Sequence, residues 1–188
     1  EIHCDEFGRI RVHFHWDRES KMDDNSSCWI PVSQPWGGAG YGGTALPRIG
    51  QEVLVDFMGG DPDRPVIVGR VYTNLQKTPY KLPDNKTQTG IKSNSTGGGG
   101  GYNELMFEDA KGKELVNMQA ERDYNKLVKH DEVATIMNDR TKVVQRDENV
   151  TIGQNRQKLV KANEMITIGK NLVKTVQANE REVTAINR

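Results

Sequence analysis

The sequence predicts an all-β protein: a small barrel of the OB type followed by a β-helix of eight-residue repeats. Three observations carry this prediction. Residues 8–72 hold short runs in which apolar and polar side chains alternate, broken by Gly- and Pro-rich turns. Asp or Asn recurs at every eighth position from 123 to 187, and Val or Ile at every eighth position from 128 to 176. Hydrophobic residues make up only 35% of the 188 and aromatics 6%, so the core must be small, thin or shared between chains.

In the first zone, residues 1–76, Ile10, Val12, Phe14 and Trp16 alternate with Arg9, Arg11, His13 and His15. That is the pattern of a half-buried strand. Residues 28–32 form a second short run. Residues 34–43 hold too many glycines for a regular element. Residues 51–58 read as a strand with Val53, Val55 and Phe57 on one face. Residues 59–65 are a turn cluster, and residues 66–72 return as the partner strand. Several short strands at this spacing suggest an OB-like barrel.

The second zone, residues 77–104, reads as connector. Its polar run offers little to bury, and Gly97, Gly98, Gly99, Gly100 and Gly101 stand in a row. Such a run is either a flexible linker or a tight crossing point of chains at a neck. The third zone, residues 105–188, opens with a strand–turn–strand around residues 109–112 and then enters the repeat.

Asp123, Asp131, Asp139, Asp147, Asn155, Asn163, Asn171, Asn179 and Asn187 stand eight apart. Three residues before each stand Ala120, Val128, Ile136, Val144, Ile152, Val160, Ile168, Val176 and Thr184. On an α-helix eight residues turn through about 800°, so each repeat drifts by about 80° and no apolar stripe forms. A coiled coil would need a sustained 3.5-residue spacing, which is absent. Along a strand eight is an even number, so every Val and Ile keeps to one face. Asp and Asn suit the corners, where they tolerate left-handed backbone. Each octad is one short strand and one corner. Two windings fit: a single chain with three octads per turn, or three chains coiled together. Eight or so octads at roughly 5 Å each give a rod on the order of 40 Å long.

A longer period overlies the octads. Gly153 and Gly169 are 16 apart, and Lys126, Lys142, Lys158 and Lys174 stand two residues before every second member of the Val and Ile series. Parity puts these lysines on the apolar face. There they line a wet, anion-holding layer, or lie near the corner and reach out to solvent.

Other chemistry is sparse. A formal net charge of zero argues against general nucleic-acid affinity. Cys4 and Cys28 make no disulfide framework and read as two reduced, partly buried thiols, with a single bridge as the alternative. His13 and His15 could bind a metal only with further ligands, of which His3 is the one candidate. We expect no metal and no cofactor. Asp61 and Asp63 flank Pro62 in a turn, where turn chemistry accounts for them. The glycine run lacks the Lys-Ser/Thr of a phosphate loop. Arg9 and Arg11 beside Phe14 and Trp16 are the one hint of a nucleic-acid or glycan platform, so an OB-type binding module on a stalk is the alternative function. No acid pair in a credible cleft supports an envelope-degrading enzyme. No apolar stretch approaches the ~20 residues of a membrane span, and no signal peptide opens the chain.

The order of barrel, glycine run and octads resembles the valine-glycine repeat spike proteins of type VI secretion and the central spike of contractile phage tails. The most specific matches are residues 49–57, residues 60–71, Val-Thr-Ile-Gly-Gln-Asn at 150–155 and Ile-Thr-Ile-Gly-Lys-Asn at 166–171. The resemblance implies a homotrimer whose octads form an intertwined triple-stranded β-helix, with the Val and Ile row as the trimer core. It implies a mechanical, non-enzymatic spike that caps a tail tube, punctures a target-cell envelope and delivers effectors. It also implies assembly in the bacterial cytoplasm followed by secretion. Two departures matter. The family's tube-docking N-terminal domain is not in this sequence, which reads as a fragment. Residues 77–104 are too short for the lysozyme domain that phage relatives can carry between barrel and needle. The chain stops within the repeat, so contacts with a tip protein and effectors are expected beyond it.

Overall fold

A computed structural model describes residues 1–181. These residues form seven strands and two single 3-10 turns, with no α-helix among them. Thr184 and Asn187 of the octad series lie outside the described residues. Two compact units are present, Glu1–Lys129 and a second that begins at His130.

The barrel's principal pair is β3 (Val53–Phe57) and β4 (Pro65–Arg70), antiparallel, with a bulge between Leu54 and Val55. Val53, Val55 and Phe57 are half-buried while Leu54 and Asp56 are exposed, which is the predicted alternation. The turn between the strands is built as its sequence requires. Gly59 and Gly60 take φ of 67° and 76°, a region that glycine enters without steric cost. The Asp63 N–H donates to the Asp61 carboxylate at 3.0 Å, and the Met58 N–H donates to the Arg64 carbonyl at 3.0 Å. Asp61 therefore serves the turn.

Three isoleucines from distant segments form the buried core: Ile10, Ile30 and Ile67. Backbone bonds stitch the segments at these points. Ile10 and Ile30 exchange N–H···O bonds of 3.0 and 2.8 Å, and the Ile67 N–H donates to the Pro31 carbonyl at 2.9 Å. Val12, Phe14, Val32, Val53 and Val55 pack around them.

Two expectations for this zone need correction. The strand predicted through Trp16 pairs only at Ile10. Phe14 and Trp16 stack with ring centroids 4.6 Å apart, and the Asp17 N–H donates back to the Phe14 carbonyl at 3.0 Å, so the chain turns where alternation predicted extension. Residues 34–43, expected to be irregular, contain a minimal hairpin of β1 (Gly37–Gly38) and β2 (Tyr41–Gly42). Gly42, at φ 142°, lies so close to its partner strand that a Cβ there would come within 2.5 Å of the Trp36 carbonyl oxygen.

Residues 77–104 are more than connector. β5 (Gln88–Lys92) lies within them and pairs with β6 (Glu104–Glu108), which pairs in turn with β7 (Leu115–Gln119). The predicted turn at 109–112 joins β6 to β7, with Gly112 at φ 80°. In this antiparallel meander Ile91, Leu105 and Met118 are opposite one another, as are Thr89, Phe107 and Val116. Directly opposed residues share a face, so one face of the sheet carries a row of apolar side chains. Ile91, Phe107, Val116 and Met118 are exposed there.

Candidate functional site

The five glycines occupy the loop between β5 and β6 and hold a defined course. Gly97, Gly98 and Gly100 adopt φ of 76°, 69° and 71°. The Ser95 N–H donates to the Gly101 carbonyl at 2.8 Å, and the Ser93 N–H to the Asn103 carbonyl at 2.9 Å. A carboxylate closes the loop: Glu1 accepts the Gly97 N–H at 2.8 Å and pairs with Arg48 at 2.5 Å. Arg48 also donates to the Asn94 carbonyl at 2.6 Å. The Gly97 hydrogen bond, opposed by desolvation and assisted by Arg48, lowers the Glu1 pKa below the usual glutamate value.

Of the residues considered for metal or polyanion binding, His3, Arg9 and Arg11 have other partners, whereas the buried His13 Nδ1 has no hydrogen-bond partner. His3 stacks on Trp29 with centroids 5.1 Å apart. No group of three or more His, Cys, Asp or Glu suited to a metal occurs among the described residues. Arg9 is held by Asp5 at 2.6 Å, and Arg11 lies 4.5 Å from the Trp29 ring centre while donating to Asn25 at 2.8 Å. These guanidinium groups are engaged within the chain. Cys4 and Cys28 are free, and both are exposed rather than partly buried.

The octads show their period directly in the backbone. The chain bends at 121–122, 129–130, 137–138, 145–146, 153–154, 161–162, 169–170 and 177–178. Each bend directly follows a member of the Ala, Val or Ile series and directly precedes an Asp or Asn. The corner is thus made by the two residues before each Asp or Asn, which closes it. The left-handed backbone expected at these acids and amides is not used, since Met22 is the one non-glycine residue at positive φ among those described.

The Val and Ile series is less exposed than the other apolar octad positions. Val128, Ile136, Val144, Ile152, Val160, Ile168 and Val176 are 41–54% exposed in the single chain. Leu127, Met137, Val143, Leu159, Met165 and Val173, off that series, are 74–93% exposed. Among the described residues after Gln119, no segment pairs as a strand with another segment of the same chain. Single-chain winding would require such pairing between successive turns, because a strand's N–H and C=O groups need partners.

The alternating lysines have an unexpected arrangement. Lys142, Lys158 and Lys174 each pair with a glutamate six residues further on, Glu148, Glu164 and Glu180. Every pair reaches across one bend, and the pairs repeat every 16 residues. A carboxylate of the same chain meets each amine. The charge signal was legible in advance: Glu132, Glu148, Glu164 and Glu180 share the lysines' period.

Comparison with known proteins accounts for both parts of the chain. Residues 3–72 match the type VI secretion system/phage-baseplate injector OB domain. Residues 89–188 match the bacteriophage T4 gp5 C-terminal trimerisation domain. The chain is 51% identical over 140 residues to the type VI secretion system spike protein VgrG4b of Pseudomonas aeruginosa, covering 74% of this chain and 17% of that one. It is 49% identical over 140 residues to the spike protein VgrG3 of Vibrio cholerae, covering 74% and 14%. It is 47% identical over 140 residues to a Vibrio cholerae protein named actin cross-linking toxin VgrG1, covering 74% and 13%. The chain therefore spans less than a fifth of the length of each of these relatives.

Proposed function

The chain belongs to the type VI secretion spike-protein family, and from that premise we propose that it is the barrel and needle portion of a homotrimeric spike that acts by mechanical penetration. The observation that carries this reading is the octad segment. Its seven Val and Ile side chains remain about half-exposed in one chain, and its backbone has no strand partner within that chain among the described residues. Both deficits are met at once if three copies wind together, each supplying strand edges and apolar side chains to the other two.

Gly153 and Gly169 support the same reading. Neither has a positive φ, and a Cβ at either would meet nothing within 4 Å in its own chain. Glycine at a strand corner without a backbone reason marks a close approach of another backbone. The apolar face of the β5–β7 sheet, with Phe107, Val116 and Met118, offers further surface for the same assembly. In this proposal Gly97–Gly101 form the neck where the three chains cross between barrel and needle.

The finer roles follow from the family. A segment N-terminal to this one docks on the tail tube. The C-terminal end of the needle meets a tip protein and effectors. The spike is assembled in the bacterial cytoplasm, punctures the target envelope and is secreted in doing so. This segment has no enzymatic role in the proposal: the relative named as a toxin shares only 13% of its length with it.

The direct test is the solution mass. Multi-angle light scattering is expected to give three times the 21.1 kDa of one chain. A monomeric mass at micromolar concentration would overturn the proposal.

A further inference from the structure

We propose that the Lys–Glu pairs across alternate corners fix the register in which copies of this chain wind together. The inference rests on the homotrimer reading above. The difficulty it resolves is built into the octads. A slip of one copy by eight residues places every Val opposite an Ile and every Ile opposite a Val. Strand parity is unchanged, so the apolar row alone distinguishes the two arrangements poorly.

The position two residues before the core residue does distinguish them. In octads with Val144, Val160 and Val176 it is Lys142, Lys158 or Lys174, each paired with its glutamate across the bend. In the intervening octads, with Ile136, Ile152 and Ile168, it is Ala134, Val150 or Ile166. The needle thus alternates a charged, self-neutralised layer with an apolar one, at a period of 16 residues.

In register, ion pairs from different copies meet one another and apolar side chains meet apolar side chains. After a slip of eight, each ion pair faces Ala, Val or Ile. Those neighbours offer no hydrogen bonds to repay the desolvation of the charges. Isolated polar positions fix register in this way in coiled coils, at some cost in stability. A slip of 16 restores the layers but leaves two octads of each displaced copy unpaired.

The test uses a frame-shifted chain. It moves the lysines to 134, 150 and 166 and their glutamates to 140, 156 and 172. Lys142, Lys158 and Lys174 become Val, and Glu148, Glu164 and Glu180 become Arg. The native chain and this one, differently tagged, are co-expressed and their trimers resolved by native mass spectrometry. Two differently tagged native chains serve as control, with about three quarters of their trimers mixed by chance. Mixed trimers of native and frame-shifted chains are expected to fall at least about tenfold below that control. Mixing at the control level would overturn the register role while leaving the trimer intact, whereas a native chain that is monomeric would sink the trimer reading itself.

A second measurement covers a frame-shifted chain that does not assemble. Lys142, Lys158 and Lys174 are replaced by Ile, and Glu148, Glu164 and Glu180 by Leu, in a background with Cys4→Ser and Cys28→Ser. Chains carrying Val160→Cys and Ile168→Cys are then co-expressed and oxidised. Links between positions 160 and 168 are expected to rise at least about fivefold over the chain with its ion pairs. No rise, or no assembly of a chain whose layers are all apolar, counts against the proposal.

Discussion

The Tyr80 side chain lies directly against Gly90. A Cβ added at Gly90 would collide with the Tyr80 hydroxyl and come within 2.6 Å of the Leu105 carbonyl oxygen. The Tyr80 hydroxyl donates to Glu104 at 3.3 Å, and Glu104 also accepts from the Asn117 side-chain amide at 3.2 Å. The segment before β5 is thereby fastened across β6 to β7. Gly90→Ala has no room to relax into, because one obstacle is backbone. We expect a loss of about 1–3 kcal/mol, read as a lowered midpoint in urea unfolding, whereas Gly59→Ala would report only the strain of its positive φ.

Burial, reinforced by the negative charge of Glu104, raises the Tyr80 phenol pKa above its ordinary value. The folded state then holds this proton more tightly than the unfolded state. The resulting stability is complete below about pH 10 and is lost as pH rises through the folded value. Thermal melts are expected to fall on the alkaline side of pH 10 in the native chain, and less in Tyr80→Phe. Equal slopes in the two proteins would show that other groups govern the alkaline limb.

Glu1 gives the opposite sign. Its folded pKa is lowered by the Gly97 N–H and by Arg48. Its contribution is present above the unfolded glutamate value of about 4.3 and is lost as pH falls through the folded value. Glu1→Gln should flatten the acid limb of the stability profile. The Gly97 amide should also exchange with solvent faster, which hydrogen-exchange mass spectrometry of the loop peptide can detect.

Gly153→Val separates the single-chain view from the assembled one. Within its own chain a Cβ meets nothing within 4 Å, so the lone chain predicts little effect beyond altered local freedom. The three-chain needle predicts a clash at a shared corner. We expect the trimer to melt at a clearly lower temperature, with mass reverting toward monomer on dilution. An unchanged melt would show that no second backbone approaches there.

Ile152→Asp tests the core row. In the needle it places three carboxylates together on the inner face, where unpaired charge costs several kcal/mol per ion. Trimer is expected to be lost in light scattering. The control is Met137→Asp at an off-row position, which is 93% exposed in the single chain and should leave the mass threefold.

Several features were legible in the residues alone. The step of eight excludes a helix for geometric reasons, and the backbone bends at that step throughout the described octads. Val53, Val55 and Phe57 alternate as their pattern requires because strand parity is a local property. β5 was missed because a strand in the middle of a sheet needs only a partner, and Gln88–Lys92 finds that partner in β6 through hydrogen bonds no apolar pattern announces. The turn at Phe14 was missed because aromatic stacking there outcompeted continued alternation.

Sequence by itself determined the β class, the step of eight and the confinement of the Val and Ile series to one strand face, since each follows from a repeat length set against the two-residue period of a strand. Tertiary structure decided what the repeat leaves open. It placed the bend one step ahead of each Asp or Asn, joined each of Lys142, Lys158 and Lys174 to a glutamate across a corner, and turned the glycine run into a loop closed by Glu1. Those outcomes depend on which groups meet in space, and no spacing along a chain fixes that.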